Sequence, residues 1–305
     1  MTEYEVVCFG SAVVDAFVDT DMAGKKGNIC YPLGSKILIN DLKFSVGGGG
    51  TNTAVAFSRL GFKTGYIGKI GEDFNGQMIL DLLKNENIKF LGKVSKNLLT
   101  GYSVVLDSTT HERTILTYKG INDELKIGEI NFREIKTRWL YLSSLLGESF
   151  KTQKSLVAYL HNKGTRIAVN PSEYAIKVLD LKPILKFTDI LILNKEEAEL
   201  LCKKNGVREK DLLRGLSSLG PDVVVITNKD KEVLAYDGEK KYSLMPHKIK
   251  AHERTGAGDA FASGFVAGQI AGKNIENSLK LGLEESESVI RHKGAKIGLI
   301  RRRLK

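Results

Sequence analysis

Four apolar runs in the second half of the chain constrain the fold more than any other feature of the sequence. They occur at 139–143, 166–170, 189–193 and 222–227, and stretches with helical periodicity separate them. Runs of this kind are typical of parallel strands, because helices cover both faces of a parallel sheet. The alternation of strands and helices therefore predicts an α/β fold of three layers with a mostly parallel central sheet.

The first part of the chain departs from this regular alternation. An alternating apolar and polar stretch precedes the first helix, and a hairpin is predicted from strands at 101–106 and 113–118. We expect the segments near 12–46 and 100–120 to form a small β-strand lid over the central sheet. Since no repeat or linker divides the sequence, we expect a single domain over 1–305.

The composition argues against several classes of protein. The chain has 305 residues, of which 42% are hydrophobic and 27% are charged, as in ordinary globular proteins. The apolar runs are far shorter than the roughly 20 residues that cross a bilayer. The acidic N-terminus does not resemble a secretory signal, so a cytoplasmic location is expected. The three cysteines are widely scattered, which fits neither a disulfide framework nor a zinc site.

The net charge of +10 raises the question of a nucleic-acid partner. The basic residues are spread along the chain, and only 301–305 forms a cluster, so the pattern favours a solvated surface over a nucleic-acid site. A positive field would also attract anionic nucleotides and phosphorylated substrates. A small-molecule partner therefore explains the charge without a polymer.

A glycine turn near the C-terminal end opens a predicted helix. Gly256, Ala257 and Gly258 are followed by Asp259 and by a run of small and apolar residues. Backbone N–H groups at a helix N-terminus have no partner within the helix, and the helix dipole favours an anion there. Asp259 could accept the proton of a hydroxyl that attacks a γ-phosphate held by those amides. Taken alone, the pattern is equally typical of an ordinary helix start with an acidic first-turn residue.

Two longer strings resemble the signatures of the ribokinase-like (PfkB-type) carbohydrate kinases. The string from Thr255 to Phe261, Thr-Gly-Ala-Gly-Asp-Ala-Phe, is similar to the second signature of that family. The string from Gly47 to Gly61, with its run of glycines, an asparagine and an amphipathic helix, resembles the first. Their order and separation also agree with the family, so the resemblance covers essentially the whole chain. It implies a kinase that transfers a phosphoryl group from ATP to a sugar hydroxyl, with Asp259 as the general base.

The resemblance also implies which residues bind the two substrates. Glycine lets a backbone approach a polyol closely, and an asparagine amide can both donate to and accept from hydroxyl groups. The residues expected to bind the acceptor are Asp15, Gly47, Gly48, Asn52, Lys119 and Asn122. The residues expected near the nucleotide phosphates are Asn194, Thr227, Gly256 and Gly258, with Ala257 as a further part of the anion hole.

Two metal ions follow from the same resemblance. Glu197 is expected near the Mg²⁺ of the nucleotide and to act through water, because Mg²⁺ sheds its hydration reluctantly. Glu253 is expected to help hold a monovalent cation such as K⁺. The exposed edges of the lid strands need covering, so the lid also suggests a homodimer.

The chain also departs from the family pattern. Lys229 and Glu232 stand where glycines usually follow the nucleotide-binding threonine, and Gly49 stands where ribokinases commonly carry lysine. Three functions stay open at this point: a sugar kinase, a nucleoside kinase of the same family, and a non-catalytic protein that binds a ligand or nucleic acid. Asp259 beside an anion-binding turn argues against the third, because a binding protein needs no base there.

Overall fold

The computed structural model describes residues 3–20, 24–25, 28–107, 113–249, 254–292 and 294–304. In chain order the strands are β1 (Tyr4–Phe9), β2 (Val13–Asp19), β3 (Gly24–Lys25), β4 (Asn28–Ile29), β5 (Asp41–Gly47), β6 (Thr64–Ile67), β7 (Lys69–Gly71), β8 (Lys89–Phe90), β9 (Lys93–Ser95), β10 (Gly101–Asp107), β11 (Arg113–Tyr118), β12 (Thr137–Ser143), β13 (Arg166–Asn170), β14 (Ile190–Asn194), β15 (Val223–Thr227), β16 (Val233–Tyr236) and β17 (Lys241–Leu244). The helices are α1 (Gly49–Arg59), α2 (Phe74–Asn85), α3 (Gly147–His161), α4 (Glu173–Val178), α5 (Lys182–Leu185), α6 (Lys195–Lys204), α7 (Leu212–Ser217), α8 (Ala257–Ile270) and α9 (Ile275–Val289).

The described strands form a large central sheet in the order β17-β16-β15-β14-β13-β12-β1-β6-β8. Its pairs from β15 to β8 are parallel, and β16 and β17 add two antiparallel strands at one edge. Adjacent residues of β1 lie on opposite faces of the central sheet. Val6 belongs to the apolar core that includes residues of α1, α2, α8 and α9, whereas Val7 belongs to the core that includes residues of α3 to α7. The predicted three-layer fold with a mostly parallel sheet is confirmed.

A second sheet covers one end of the molecule and has the order β11-β10-β2-β5. Strand β2 pairs antiparallel with β5 and parallel with β10. All four strands lie within the segments expected to form the lid, near 12–46 and 100–120, although β5 begins only at Asp41. Phe44 and Leu116 are about half exposed on this sheet. The lid is therefore a sheet with one open apolar side.

The described helices are too short and too polar to cross a membrane. The two longest, α3 and α9, have 15 residues each, and both carry charged side chains.

A carboxyl group is buried between the two helices that follow the anion-binding turn. Glu285 of α9 is 0% exposed, and its Cγ would lie 2.9 Å from a Cβ placed on Gly264 of α8. Its Oε2 accepts a hydrogen bond from Ile300 N at 3.3 Å, while Oε1 has no described partner. Burial raises the pKa of this carboxyl from 4.5 to about 7. The folded protein therefore favours the protonated form of Glu285.

We expect Glu285→Gln to change the pH dependence of stability. Because the folded-state pKa lies above the unfolded value, the folded chain binds more protons between about pH 4.5 and pH 7, so its stability falls as pH rises through that window. A glutamine stays neutral at every pH. At pH 8 the free energy of unfolding of Glu285→Gln should therefore exceed that of the wild type by about 2–3 kcal/mol. Urea unfolding of both proteins at low and high pH measures this difference. Glu284→Gln, an exposed change on the same helix, is the control, and an equal effect of Glu285→Gln at both pH values would contradict the prediction.

Candidate active site

The predicted anion-binding turn forms the start of α8. Gly256 precedes the helix with φ 79°, and a Cβ on it would lie 2.4 Å from the Cβ of Ala295. Only glycine suits that combination of backbone angle and close contact. The N–H of Gly258 has no acceptor in the described part of the chain, whereas the N–H of Ala257 donates to Arg254 O at 3.2 Å. An anion at this turn would therefore meet Gly258 N–H first.

Asp259 lies in the first turn of α8 with its carboxyl group at the wall of a cleft. Its Oδ2 accepts a hydrogen bond from Asn52 Nδ2 at 2.8 Å. Its Oδ1 lies on the side of Gly49, 3.4 Å from where a Cβ on that glycine would be. Burial raises the pKa of Asp259, and the bond from Asn52 and the charge of Lys296 oppose this rise. One oxygen is thus held by the protein while the other faces the cleft.

The first glycine-rich signature places Asn52 beside Asp259. Gly48 precedes α1 with φ 96°, and a Cβ on it would lie 2.5 Å from Ser11 O. Gly50 N donates to the same carbonyl at 3.0 Å, so the start of α1 packs tightly against the connection between β1 and β2. This close packing brings residues 207 positions apart into hydrogen-bonding contact.

Lys296 is a residue beside Asn52 that the sequence did not indicate. Its side chain is buried, and its Nζ donates to Val46 O at 2.6 Å and to Asn52 Oδ1. Burial lowers the pKa of Lys296 to about 7, and the negative charges of Asp15 and Asp259 oppose this decrease. A lone lysine in a loop is normally solvated, so composition and spacing gave no signal for it.

The residues expected to bind the acceptor are not all available to it. Asp15 lies on β2 against Gly47, and Lys119 lines the cleft. Asn122 is 2% exposed, its Oδ1 accepts from Ala12 N at 2.8 Å, and its Nδ2 donates to Ala12 O and Lys119 O. The Asn122 amide is thus already satisfied by backbone groups, and its contact with an acceptor stays a prediction.

The residues expected near the nucleotide follow the ends of β14 and β15. Asn194 and Glu197 form a capping box at the start of α6: Asn194 Oδ1 accepts from Glu197 N at 2.8 Å, and Asn194 N donates to Glu197 Oε2 at 2.9 Å. Glu173 N donates to Glu197 Oε1 at 3.2 Å, and burial raises the pKa of this glutamate. Thr227 ends β15, and Lys229 beyond it has φ 53°, a backbone angle at which glycine is favoured.

These residues share one cleft at the carboxyl ends of the parallel strands, where ligands of open α/β sheets bind. Its lining includes Ser11, Gly49, Lys119, Ser143, Ser144, Asn170, Asn194, Glu197, Thr227, Gly256, Gly258 and Asp259. Ser143, Ser144 and Asn170 were not predicted. The signal that could have found them is their position, because each stands at or just beyond the end of a predicted parallel strand.

The cleft fits a metal ion that arrives with a nucleotide. Among the described residues, no three Asp, Glu, His or Cys side chains are close enough to hold a metal by themselves. The Mg²⁺ of a nucleotide needs only one or two carboxylates beside phosphate and water oxygens. Glu197 lines the cleft and can supply such a carboxylate. Glu253, expected to hold a monovalent cation, lies outside the described residues.

Comparisons with known proteins found a matching family, related sequences and a similar fold. The family model described as pfkB family carbohydrate kinase matches residues 4–301. A cytidine kinase of Thermococcus kodakarensis is 31% identical over 264 residues, 81% of this chain and 88% of that protein. A 5-dehydro-2-deoxygluconokinase of Clostridium botulinum is 31% identical, over 92% of this chain and 85% of that protein. The crystal structure of a nucleoside kinase from Methanocaldococcus jannaschii, described as an archaeal member of the ribokinase family, has a TM-score of 0.82 over 98% of this chain and 95% of its own, at 20% identity.

Proposed function

Because the chain belongs to the pfkB family of carbohydrate kinases, we propose that Asp259 takes the proton from the acceptor hydroxyl as that hydroxyl attacks the γ-phosphate of ATP. The observation that carries this proposal is the arrangement at the start of α8. Asp259 Oδ2 is fixed by Asn52, its Oδ1 faces the cleft, and Gly258 N–H lies one residue away with no acceptor among the described residues. A base and an anion-binding group are thus adjacent.

Each part of this arrangement has a role in the transfer. The first-turn N–H groups and the dipole of α8 stabilise negative charge on the γ-phosphate, while Asp259 removes the proton. The raised pKa of Asp259 makes it a better proton acceptor than an exposed aspartate. When bound with the nucleotide, Mg²⁺ supplies neutralisation of phosphate charge, and Glu197 would hold it through water. The lid sheet excludes water, which would compete with the acceptor hydroxyl.

We further propose that the acceptor is a carbohydrate held by Asp15, Lys119 and the backbone of Gly47 and Gly48, next to Asn52, whose amide bonds to Asp259 and Lys296. Hydroxyl groups need partners that donate and accept, and this set supplies both kinds. A nucleoside is the second candidate, because one relative is named a cytidine kinase and the match covers 88% of that protein. Both acceptors present a sugar hydroxyl to the same base.

A coupled assay of the purified protein tests the function. ATP and Mg²⁺ would be supplied with a panel of sugars, sugar acids, sugar phosphates and nucleosides, and ADP release would be checked against the phosphorylated product by mass spectrometry. We expect at least one carbohydrate to be phosphorylated. Phosphorylation of nucleosides alone would replace the first candidate by the second, and ADP release without any phosphorylated product would contradict both.

The same assay tests the monovalent cation. We propose that Glu253 contributes to a K⁺ site beside the anion-binding turn, where the ion would hold the turn in shape without taking part in the reaction. Initial rates in Tris buffer with and without K⁺, at constant ionic strength, measure its effect. If K⁺, Na⁺ and NH₄⁺ all leave the rate unchanged, the proposed monovalent-cation site that includes Glu253 is wrong.

We also propose that two copies of the chain associate through their lid sheets. Leu42 and Phe44 on β5 and Leu116 on β11 are 45%, 49% and 57% exposed, and these two strands form the edges of the sheet. Light scattering after gel filtration should give the mass of a dimer for the wild type and of a monomer for Phe44→Glu. Phe74→Glu changes an exposed phenylalanine of α2 and should leave the dimer intact. A wild type that is monomeric at all concentrations would contradict the proposal.

A further inference from the structure

Lys296 connects the two halves of the proposed active site. Its Nζ donates to Asn52 Oδ1 near the start of α1, and its carbonyl oxygen accepts a hydrogen bond from Arg59 Nη1 at the end of that helix. The preceding residue, Ala295, packs against Gly256 of the anion-binding turn. A single loop therefore contacts both ends of α1 and the start of α8.

The hydrogen bonds of Asn52 have only one arrangement that satisfies both neighbours. Lys296 Nζ directs N–H groups at Val46 O and Asn52 Oδ1, which it can do in either protonation state, and an ionised carboxylate can only accept. Asn52 must therefore turn Oδ1 toward Lys296 and Nδ2 toward Asp259, which is the arrangement observed. Without Lys296, no charged donor would remain at Oδ1 to hold the amide in this orientation.

We propose that Lys296 is a positioning residue for phosphoryl transfer: it fixes the Asn52 amide, which in turn holds Asp259 Oδ2 and leaves Oδ1 toward the acceptor. This inference rests on the proposed role of Asp259 as the base. Lys296 does not line the nucleotide cleft, so it acts through Asn52 and not by contact with ATP.

Burial of Lys296 has a free-energy cost that a side chain serving only to fill space would not need. The side chain is fully enclosed, and its two hydrogen-bond acceptors, Val46 O and Asn52 Oδ1, are both uncharged. The negative charges of Asp15 and Asp259 only oppose the effect of this burial on its pKa. An apolar side chain of similar length would avoid the desolvation cost of the buried ammonium group. The role of Lys296 in orienting the Asn52 amide therefore explains why a lysine is buried at this position.

A double-mutant cycle with Lys296→Met and Asn52→Ala tests the inference. Methionine has a similar length and removes both the charge and the donors. With the acceptor that reacts fastest in the panel, or with hydrolysis of ATP by water if none reacts, we expect Lys296→Met to lower kcat by about 10- to 100-fold and to leave the KM for ATP unchanged within about twofold. In the Asn52→Ala background, the same change should lower kcat by no more than about twofold, because the residue through which Lys296 acts is gone.

Controls separate this effect from a loss of stability. Lys69→Met removes another buried lysine, which bonds to Glu124 O and Glu129 and lies outside the cleft, so it should lower the melting temperature and leave kcat unchanged. If Lys296→Met does not fold, Lys296→Gln keeps a donor at this position and should lower kcat less than Asn52→Ala does. Rates would be expressed per folded enzyme.

Two results would overturn the inference. The first is a kcat of Lys296→Met within about twofold of the wild-type value. The second is a decrease in kcat on Lys296→Met that is as large in the Asn52→Ala background as in the wild type. Asp259→Asn in the same assay separates the inference from the proposed function. If Asp259→Asn is inactive and Lys296→Met is fully active, the inference alone is wrong. If Asp259→Asn is active, both the base and the inference are wrong.

Discussion

Asp259→Asn is expected to lower kcat by ~10²–10⁴-fold, the range for loss of a general base, and to change ATP affinity by no more than about twofold. The asparagine keeps the size of the side chain but can no longer accept the acceptor proton. The nucleotide contacts proposed for the turn at 256–258 are made by backbone N–H groups, which the substitution does not alter. Steady-state kinetics and calorimetry with ATP would measure the two effects.

A matched substitution at another helix start provides the control for Asp259→Asn. Asp73 caps α2, and its Oδ1 accepts from Gly76 N at 2.7 Å. Asp73→Asn keeps a capping oxygen and lies outside the cleft, so kcat should stay near the wild-type value. An Asp259→Asn enzyme that retains more than about a tenth of the wild-type kcat, with chemistry limiting the rate, would show that Asp259 is not the base.

Gly256→Ala is expected to have the second largest effect, with a loss of about 10²–10³-fold in kcat, similar to loss of an oxyanion donor. The φ of 79° disfavours any side chain, and the new Cβ would lie 2.4 Å from the Cβ of Ala295. The turn must move to relieve this contact, and Gly258 N–H moves with it. Transient kinetics of phosphoryl transfer together with the melting temperature would record the effects on chemistry and on stability.

Gly272→Ala separates the effect of the backbone angle from the effect of the close contact with Ala295 at Gly256. Gly272 lies just beyond the other end of α8 with φ 74°, but a Cβ on it would meet nothing within 4 Å. Its substitution should cost about 1 kcal/mol from the backbone angle alone and should leave kcat unchanged. Equal kcat values for the two variants would mean that the shape of the anion-binding turn does not matter for transfer.

Local periodicity explains which elements could be predicted from the sequence. The four apolar runs became β12 to β15, because strands buried on both faces are apolar throughout. The antiparallel strand β16 alternates between buried and half-exposed residues, and β17 alternates between exposed and half-exposed ones. Each is only four residues long, so the pattern is weak. Helix α1 begins at Gly49, although glycine disfavours helices, because the turn packs onto Ser11 O.

The site was predictable where signatures lie on a few consecutive residues and not where distant segments meet. Asp259, Asn52 and Gly49 lie close together in the structure, and their roles in the reaction stay predictions. Lys296 could not be found in this way, since its burial depends on the packing of its loop against α1 and β5. Lys229 keeps the left-handed backbone angle that glycine usually supplies, so the departure in sequence does not remove that turn.

The central claim is that Asp259 is the base, and the pH dependence of a single turnover tests it most directly. Enzyme in excess over labelled ATP, mixed with the acceptor and quenched at short times, reports phosphoryl transfer separately from product release. In the wild type, the rate should fall about tenfold per pH unit below the raised pKa of Asp259, because only the ionised carboxylate accepts the proton. In Asp259→Asn the rate should be low and flat over the same range. A variant that keeps the wild-type pH dependence would contradict the account.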